Sequence, residues 1–311
     1  MKTSVALCTY NGENFIGEQL DSILNQSVKP SEIIICDDGS TDNTLKIIGN
    51  YFEKNPDIFR VYKNEQNLKI VKNFEKAINL CTNEIIFLCD QDDIWDQNKI
   101  ESILLFFEKN PDKDAVFHDM KLLKDSMLQN IKLWHTLYFD VDQLEIIPLH
   151  KRLIFFENIV TGAALAFRNN TKFEFNNSSN LFLHDYQLAI HFALSGKLGF
   201  LNKSLGIYRL HDKQTEGTDI KLRTKRKEHY ERFTKNQVLN KLSLLEYKNN
   251  FWKILAEDVK YYTVNTILSE EIRTSKFEYL NNLQPLKRKK TLLLWFLKKR
   301  FNTTLKELFT I

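Results

Sequence analysis

Glycine and proline are scarce, at 9 and 5 of the 311 residues, which excludes collagen-like and low-complexity chains. Cysteine is scarce too. Cys8, Cys36, Cys81 and Cys89 form no CxxC pair, and three of them lie in β-type apolar runs. Buried, reduced thiols are therefore expected, rather than a disulfide framework or a zinc site. No uninterrupted apolar run exceeds Leu292–Leu297, far short of the roughly 18 residues a membrane span needs. The opening MKTSVALCTYNGEN has one lysine and a short apolar stretch broken at Tyr10-Asn11-Gly12. That is unlike a secretory signal, so a cytoplasmic location is expected.

What the chain does have is the composition of a soluble globular protein, 43% hydrophobic and 27% charged, with length for one to three domains and a sizeable core. Its net charge of +4 hides a division: residues 1–219 sum to −8 and residues 220–311 to +12. An acidic body with a basic tail suggests one job at a site and another at a charged surface.

The first half alternates strand and helix signals. Ser4–Tyr10 is a short apolar run, and Phe15, Ile16, Leu20, Ile23 and Leu24 then recur at helical spacing. Glu32–Cys36 reads as a buried strand stopping at Asp37-Asp38-Gly39-Ser40, after which Ser40 or Thr41 would cap a helix over about 43–52. Phe59–Lys63, Val71–Leu80 and Glu84–Cys89 continue as strand, helix and strand. Continuously apolar strands separated by helices indicate a parallel sheet covered on both faces, which binds ligands at the carboxyl ends of its strands. Here those ends read Thr9-Tyr10-Asn11-Gly12, Asp37-Asp38-Gly39-Ser40 and Asp90-Gln91-Asp92-Asp93. Further on, 115–118, 163–167 and 205–210 read as strands and 184–194 as a helix. Beyond 220 the chain reads as mostly helical, so the boundary near 219 rests mainly on the charge shift.

Asp90 and Asp92 stand at i and i+2 after a buried strand, so extended geometry would send both carboxylates to one face. Such hard oxygen ligands suit Mg²⁺ or Mn²⁺, ions that share coordination with substrate phosphates; a solvated acidic turn is the plain alternative. Asp37-Asp38 can accept hydrogen bonds from ring N–H or ribose hydroxyl groups, whereas Asp42 suits a helix N-terminus.

Together these motifs, with Asn67 to Asn73-Phe74 and the run Asp90-Gln91-Asp92-Asp93-Ile94-Trp95, resemble the family 2 glycosyltransferases of GT-A fold. DQDDIW and QLDSILNQS are most similar to the rhamnosyltransferase-like branch, and the resemblance covers about residues 3–217. It implies an α/β, Rossmann-like mixed sheet with helices on both faces, followed by a helical C-terminal region. Residues 1–219 would be the catalytic domain, with a nucleotide-sugar half over about 1–113 and an acceptor half over about 114–219.

The resemblance also assigns roles. Thr9, Tyr10, Asn11, Asp37 and Asp38 would line the nucleotide pocket, with Asn67, Lys72, Asp90 and Gln91 close to the nucleotide. Asp92 and His211 would hold a divalent cation, Mn²⁺ or Mg²⁺, and Arg209 would neutralise phosphate. Asp185 matches the catalytic base, although it could also cap the helix starting beside it. Trp95, Thr161, Gly162, His184 and Tyr186 would stand on the acceptor side. Two positions depart from the branch: Tyr186-Gln187 replaces its aromatic pair, and Gln214 stands where Asn is common.

The expected reaction is inverting transfer of a sugar from a nucleoside diphosphate, dTDP-rhamnose ahead of a UDP-hexose or UDP-N-acetylhexosamine. The acceptor would be a hydroxyl of a bacterial surface polysaccharide, lipopolysaccharide or lipid-linked oligosaccharide. A non-catalytic scaffold is the competing reading. A nucleotidyltransferase or dehydrogenase would need a Gly-rich phosphate loop that TYNGEN does not supply. In the tail, residues 220–232 and 286–301 concentrate basic charge, and the second brackets TLLLWF with Lys/Arg clusters. That suits a helix lying on an anionic membrane surface at the cytoplasmic membrane, or a helix packing on the body. Nucleic acid is not expected as a partner, because no recognised motif accompanies the tail.

Overall fold

The computed structural model describes residues 1–214, apart from 138, 146–148, 156–157, 171, 176–182 and 213. The basic region 220–311 and the boundary near 219 lie outside the described residues.

The three most apolar runs form the middle of the sheet. Strand β1 (Thr3–Thr9) is buried along its whole length. It pairs in parallel with β2 (Glu32–Asp37) on one side and with β4 (Ile85–Asp90) on the other. Strand β3 (Phe59–Lys63) pairs in parallel on the outside of β2. The connecting helices are α1 (Ile16–Leu24), α2 (Thr44–Lys54) and α3 (Lys69–Leu80). Because parallel crossovers are right-handed, the steps β1 to β2 to β3 put α1 and α2 on one face, and the return step to β4 puts α3 on the other. Side-chain parity agrees. Val5, Leu7, Ile33, Ile35, Ile85 and Phe87 share a core with Ile16, Leu20 and Ile23 of α1, while α3 packs against β1 and β2.

Past β4 the sheet becomes mixed. Strand β8 (Leu165–Arg168) runs antiparallel to β4 and to β6 (Ala115–Lys124). Strand β9 (Leu198–Leu210) lies parallel to β6, and the two-residue β5 (Ile94–Trp95) pairs with the far end of β9. The order β3-β2-β1-β4-β8-β6-β9-β5 gives a mixed α/β sheet, as expected. Strand β7 (Met127–Lys132) forms a hairpin with β6 through Asp125 and Ser126, whose φ of 49° and 61° give the double-positive turn that matches strand twist. Helix α4 (Lys99–Lys109) follows β5, α5 (Leu133–Thr136) and α6 (Leu149–Phe155) precede β8, and α7 (His184–Leu194) precedes β9.

The sheet corrects several readings. Both α4 and β7 were missed. The 205–210 strand begins at 198, the 115–118 strand continues to 124, and the 163–167 strand opens as a 3₁₀ turn over Gly162–Ala164. Neither Ser40 nor Thr41 caps α2. Asn43 occupies the cap position without a side-chain bond, and Asp42 accepts from the Thr44 amide at 3.0 Å. All four cysteines are free and buried. Among the described residues no helix is long and apolar enough to cross a membrane.

Candidate active site

Strand register sets the site. Thr9 pairs with Asp37 and Cys8 with Asp90, so the loops after β1, β2 and β4 emerge together at one sheet edge. Those loops are cross-braced. Asn11, at a φ of 49°, accepts from the Thr41 amide at 2.9 Å, and its own amide donates to Ser40 Oγ at 2.9 Å. Gln91 accepts from the Tyr10 amide at 2.9 Å and donates to the Tyr10 carbonyl at 3.0 Å. A Cβ on Gly12 would collide with that Gln91 amide group and displace it from Tyr10.

The two acids after β2 do different things. Asp37 is fully buried and accepts from Thr9 Oγ1 at 2.8 Å, from the Gly39 and Ser40 amides and from Ser40 Oγ, so it is spent on its own turn. Thr9 is correspondingly buried. Asp38 accepts from Asn64 Nδ2 and the Leu68 amide, each at 2.7 Å, and from the Lys69 amide at 2.9 Å. Asn67 donates to the Asp38 carbonyl at 3.1 Å, which holds the 64–69 loop against β2. Lys72 makes an ion pair with Glu75 at 2.8 Å.

The acidic run after β4 meets the end of β9. His211 Nε2 lies 2.9 Å from Asp92 Oδ2, and the His211 ring stacks on Phe15 with centroids 4.4 Å apart. Arg209 covers the same ring at 5.2 Å, donates through Nε to the Asp92 carbonyl at 2.9 Å and pairs with Glu18. Its amide donates to Asp93 Oδ1 at 3.0 Å, while buried Asp93 Oδ2 has no partner. Burial, together with Asp92 and Asp90, drives the Asp93 carboxyl above the usual carboxylate range. Gln214 closes the segment, donating to the Arg209 carbonyl at 2.5 Å and accepting from the His211 amide at 3.2 Å.

Asp90 lies close to Asp185 and the turn at Ala163. Burial first, then the negative charges of Asp92 and Asp185, push its carboxyl up to about 7, against Lys99 and a hydrogen bond from the Ala163 amide. Asp185, at the start of α7, accepts from the Gly162 amide at 3.1 Å through Oδ2 and from the Tyr186 amide at 2.6 Å through Oδ1. Gly162 is tight against His184, whose Nε2 would lie 3.1 Å from a Cβ there. His184 is buried, stacks on Phe74 at 3.8 Å and, among the described residues, has no hydrogen-bond partner at either ring nitrogen, and burial depresses it to about 3. Tyr186 donates its hydroxyl to the Leu153 carbonyl at 2.6 Å. Thr161 accepts from the Ala164 amide at 2.9 Å, and Trp95 lies buried beneath the Lys99 ammonium.

The geometry thus gathers Asp90, Asp92, Asp185, Arg209 and His211 beside the loop ends that carry Tyr10, Asn11 and Gln91. Lys72 engages its own helix. The sequence reading passed over Phe15, Glu18, Asn64 and Lys99. Phe15 entered that reading only as an apolar position of the first helix, and Glu18 and Lys99 stand outside every motif in it.

Against known proteins, residues 4–144 match the sequence profile of glycosyl transferase family 2. Over that stretch the chain resembles a family 2 glycosyltransferase. It is 26% identical over 215 residues to an uncharacterized protein of Mycobacterium tuberculosis, covering 67% of this chain and 58% of the relative. The S. aureus TarS 1–349 structure in complex with UDP-GlcNAc matches with a TM-score of 0.53 at 21% identity, over 69% of this chain and 60% of that one. The mannosyltransferase PcManGT from Pyrobaculum calidifontis, in complex with GDP-Man and Mn²⁺, matches at 0.51 and 19% over 68% and 58%. These likenesses establish the GT-A fold. The chain spans less than two thirds of the length of the Mycobacterium relative and of both solved structures.

Proposed function

We propose that this protein is a metal-dependent, inverting glycosyltransferase acting on a nucleoside-diphosphate sugar. The observation that carries the reading is the Gly162–Ala163 turn. It donates one amide to Asp185 and the next to Asp90, two residues before the Asp92–His211 pair. A carboxylate at the head of a helix is thereby held beside the groups suited to a diphosphate.

The residues fit the roles. The cross-braced loops after β1, β2 and β4 form the floor for the nucleotide, with Tyr10 half-exposed on its rim. Asp92 and His211 offer one oxygen and one nitrogen donor 2.9 Å apart, a fit for a divalent cation completing its shell with diphosphate oxygens and water. Such an ion, when bound, supplies positive charge to the departing diphosphate. Arg209, fixed on Phe15 and the Asp92 carbonyl, adds a permanent cation at the same edge. Asp185 takes the proton from the attacking acceptor hydroxyl as the bond to the anomeric carbon forms and the nucleoside diphosphate leaves from the opposite face. Two amide donors, from Gly162 and Tyr186, keep that carboxylate oriented.

For the donor, DQDDIW and QLDSILNQS favour dTDP-rhamnose, with UDP-hexoses or UDP-N-acetylhexosamines next. The UDP-GlcNAc in the TarS neighbour keeps the second group in view. The acceptor is a sugar hydroxyl of a bacterial surface polysaccharide, lipopolysaccharide or lipid-linked oligosaccharide. The basic segments 220–232 and 286–301 hold the enzyme at the anionic cytoplasmic leaflet, where lipid-linked acceptors are found.

A thermal-shift panel of UDP, dTDP and GDP with and without Mn²⁺, on the wild type and Asp92→Ala, tests the donor site. A ligand at 100 times its dissociation constant stabilises by about 2.7 kcal/mol, a rise of a few degrees. The expected result is a metal-dependent rise with dTDP or UDP that Asp92→Ala abolishes. No rise with any nucleotide would overturn the reading in favour of a non-catalytic scaffold.

A further inference from the structure

Lys99 is fully buried at the start of α4, beneath the site. Its ammonium donates to the Ala163 carbonyl at 2.6 Å and rests 4.0 Å from the centroid of the Trp95 ring. A charge placed there forgoes hydration worth several kcal/mol per ion, and an apolar side chain would fill the space without that loss. Burial pulls the ammonium down to about 8, while Cys89, Asp93 and Asp90 resist, so it keeps its proton at neutral pH. What it touches gives the reason for a lysine. The Ala163 carbonyl belongs to the turn whose Gly162 amide donates to Asp185 Oδ2 at 3.1 Å and whose Ala163 amide donates to Asp90. The Ala164 amide closes the turn onto the Thr161 carbonyl at 2.9 Å. The Ala163 carbonyl shares its peptide plane with the Ala164 amide, so gripping the one holds the other on the Thr161 carbonyl and keeps the turn that carries the Gly162 and Ala163 amides closed.

We infer that Lys99 is a positioning residue for glycosyl transfer: by gripping the Ala163 carbonyl it fixes the 161–164 turn and, through that turn, aims the Asp185 carboxylate. The inference rests on the proposed role of Asp185 as base. It gives a buried cation of α4 a purpose at an acceptor-side carboxylate that it does not itself touch. Misplacement of a reacting group by about 1 Å costs on the order of a hundredfold in rate, so loosening the turn should be read in kcat.

The test uses the full-length chain and Lys99→Met, which keeps the apolar stem and removes the ammonium. Amide hydrogen exchange at Gly162 and Ala163 is expected to rise about tenfold, while Val5–Leu7 in β1 stays protected. With the wild type turning over donor and acceptor, kcat should fall about thirtyfold and donor KM stay within about threefold. Lys99→Met combined with Asp185→Asn should be no slower than Asp185→Asn alone, because the lysine acts through the carboxylate. Unchanged exchange in the turn, an unchanged kcat, or losses that multiply would each overturn the inference. Lys99→Gln, uncharged and too short to reach the carbonyl, is expected to behave in the same way and serves if the methionine variant does not fold. A wild type inert toward every donor would sink the glycosyl-transfer reading instead. Exchange at Gly162 and Ala163 would then still decide whether Lys99 holds the turn.

Discussion

His211 Nε2 sits 2.9 Å from Asp92 Oδ2 although 119 positions separate the two residues in the chain. The closure comes from the sheet edge. Ile94 of β5 pairs with Ile207 of β9, so the residues just before β5 and just after the pairing segment of β9 must meet. Phe15 makes the meeting specific by lying under both His211 and Arg209. The segment leading into the first helix and the end of β9 are thus joined at one aromatic ring, beside the acidic motif.

From that joint comes the first prediction. In His211→Ala, Asp92 keeps its carboxylate but loses the nitrogen donor 2.9 Å away. Half-saturation of turnover by Mn²⁺ is expected to require about tenfold or more metal, by analogy with the losses seen when a metal shell is thinned. Nucleotide affinity without metal should hardly change. A metal titration of initial rates checks this, and an unaltered midpoint would remove His211 from the cation site.

Asp185→Asn preserves the shape at the head of α7 and removes the proposed base. Turnover is expected to fall by at least about a hundredfold, since a general base contributes on the order of 10² to 10⁴. Donor affinity, measured by calorimetry, should remain within about threefold. A helix-capping role alone would instead lower the melting temperature and leave kcat intact.

Gly12 tests the bracing of the nucleotide floor. Gly12→Ala drives a methyl into the Gln91 amide, which holds both the amide and the carbonyl of Tyr10. Displacing that amide gives up two hydrogen bonds, each worth about 0.5–1.5 kcal/mol. Urea unfolding should show that loss, and Gln91→Ala in the same chain should recover part of it. Strictly additive losses would mean that the two residues do not collide.

Much of this was legible in advance because three continuously apolar runs can only be central strands, and central parallel strands must end at one edge. Thr9, Asp37 and Asp90 were placed there by register alone. The loops' private chemistry was hidden. Asp37 and Asp38 look equivalent in sequence, yet one is consumed by its own turn and the other by the 64–69 loop, a distinction set by tertiary contacts. Lys99 was hidden for a different reason. A lysine in the first turn of an amphipathic helix reads as a solvated charge, and only the packing of the acceptor-side turn above Trp95 shows that it is buried.

The acid side of the stability curve should report His184. Its ring is buried against Phe74, has no hydrogen-bond partner at either nitrogen among the described residues and is depressed by burial to about 3. The folded protein therefore keeps it neutral at pH values where the unfolded chain, near the ordinary value of about 6.5, binds a proton. With more protons bound in the unfolded state, stability must fall as pH drops through about 6.5 toward 3. One pH unit of such linkage is worth about 1.4 kcal/mol, so lowering the pH from 7.5 to 5 should remove about 2 kcal/mol through this residue. His184→Leu keeps an apolar side chain against Phe74 and cannot titrate. The difference in urea-derived stability between wild type and variant should shift by that amount in the variant's favour between the two pH values, other groups cancelling. Parallel pH profiles would show that the His184 ring takes up its proton without unfolding pressure, and its burial in the folded chain would have to be abandoned.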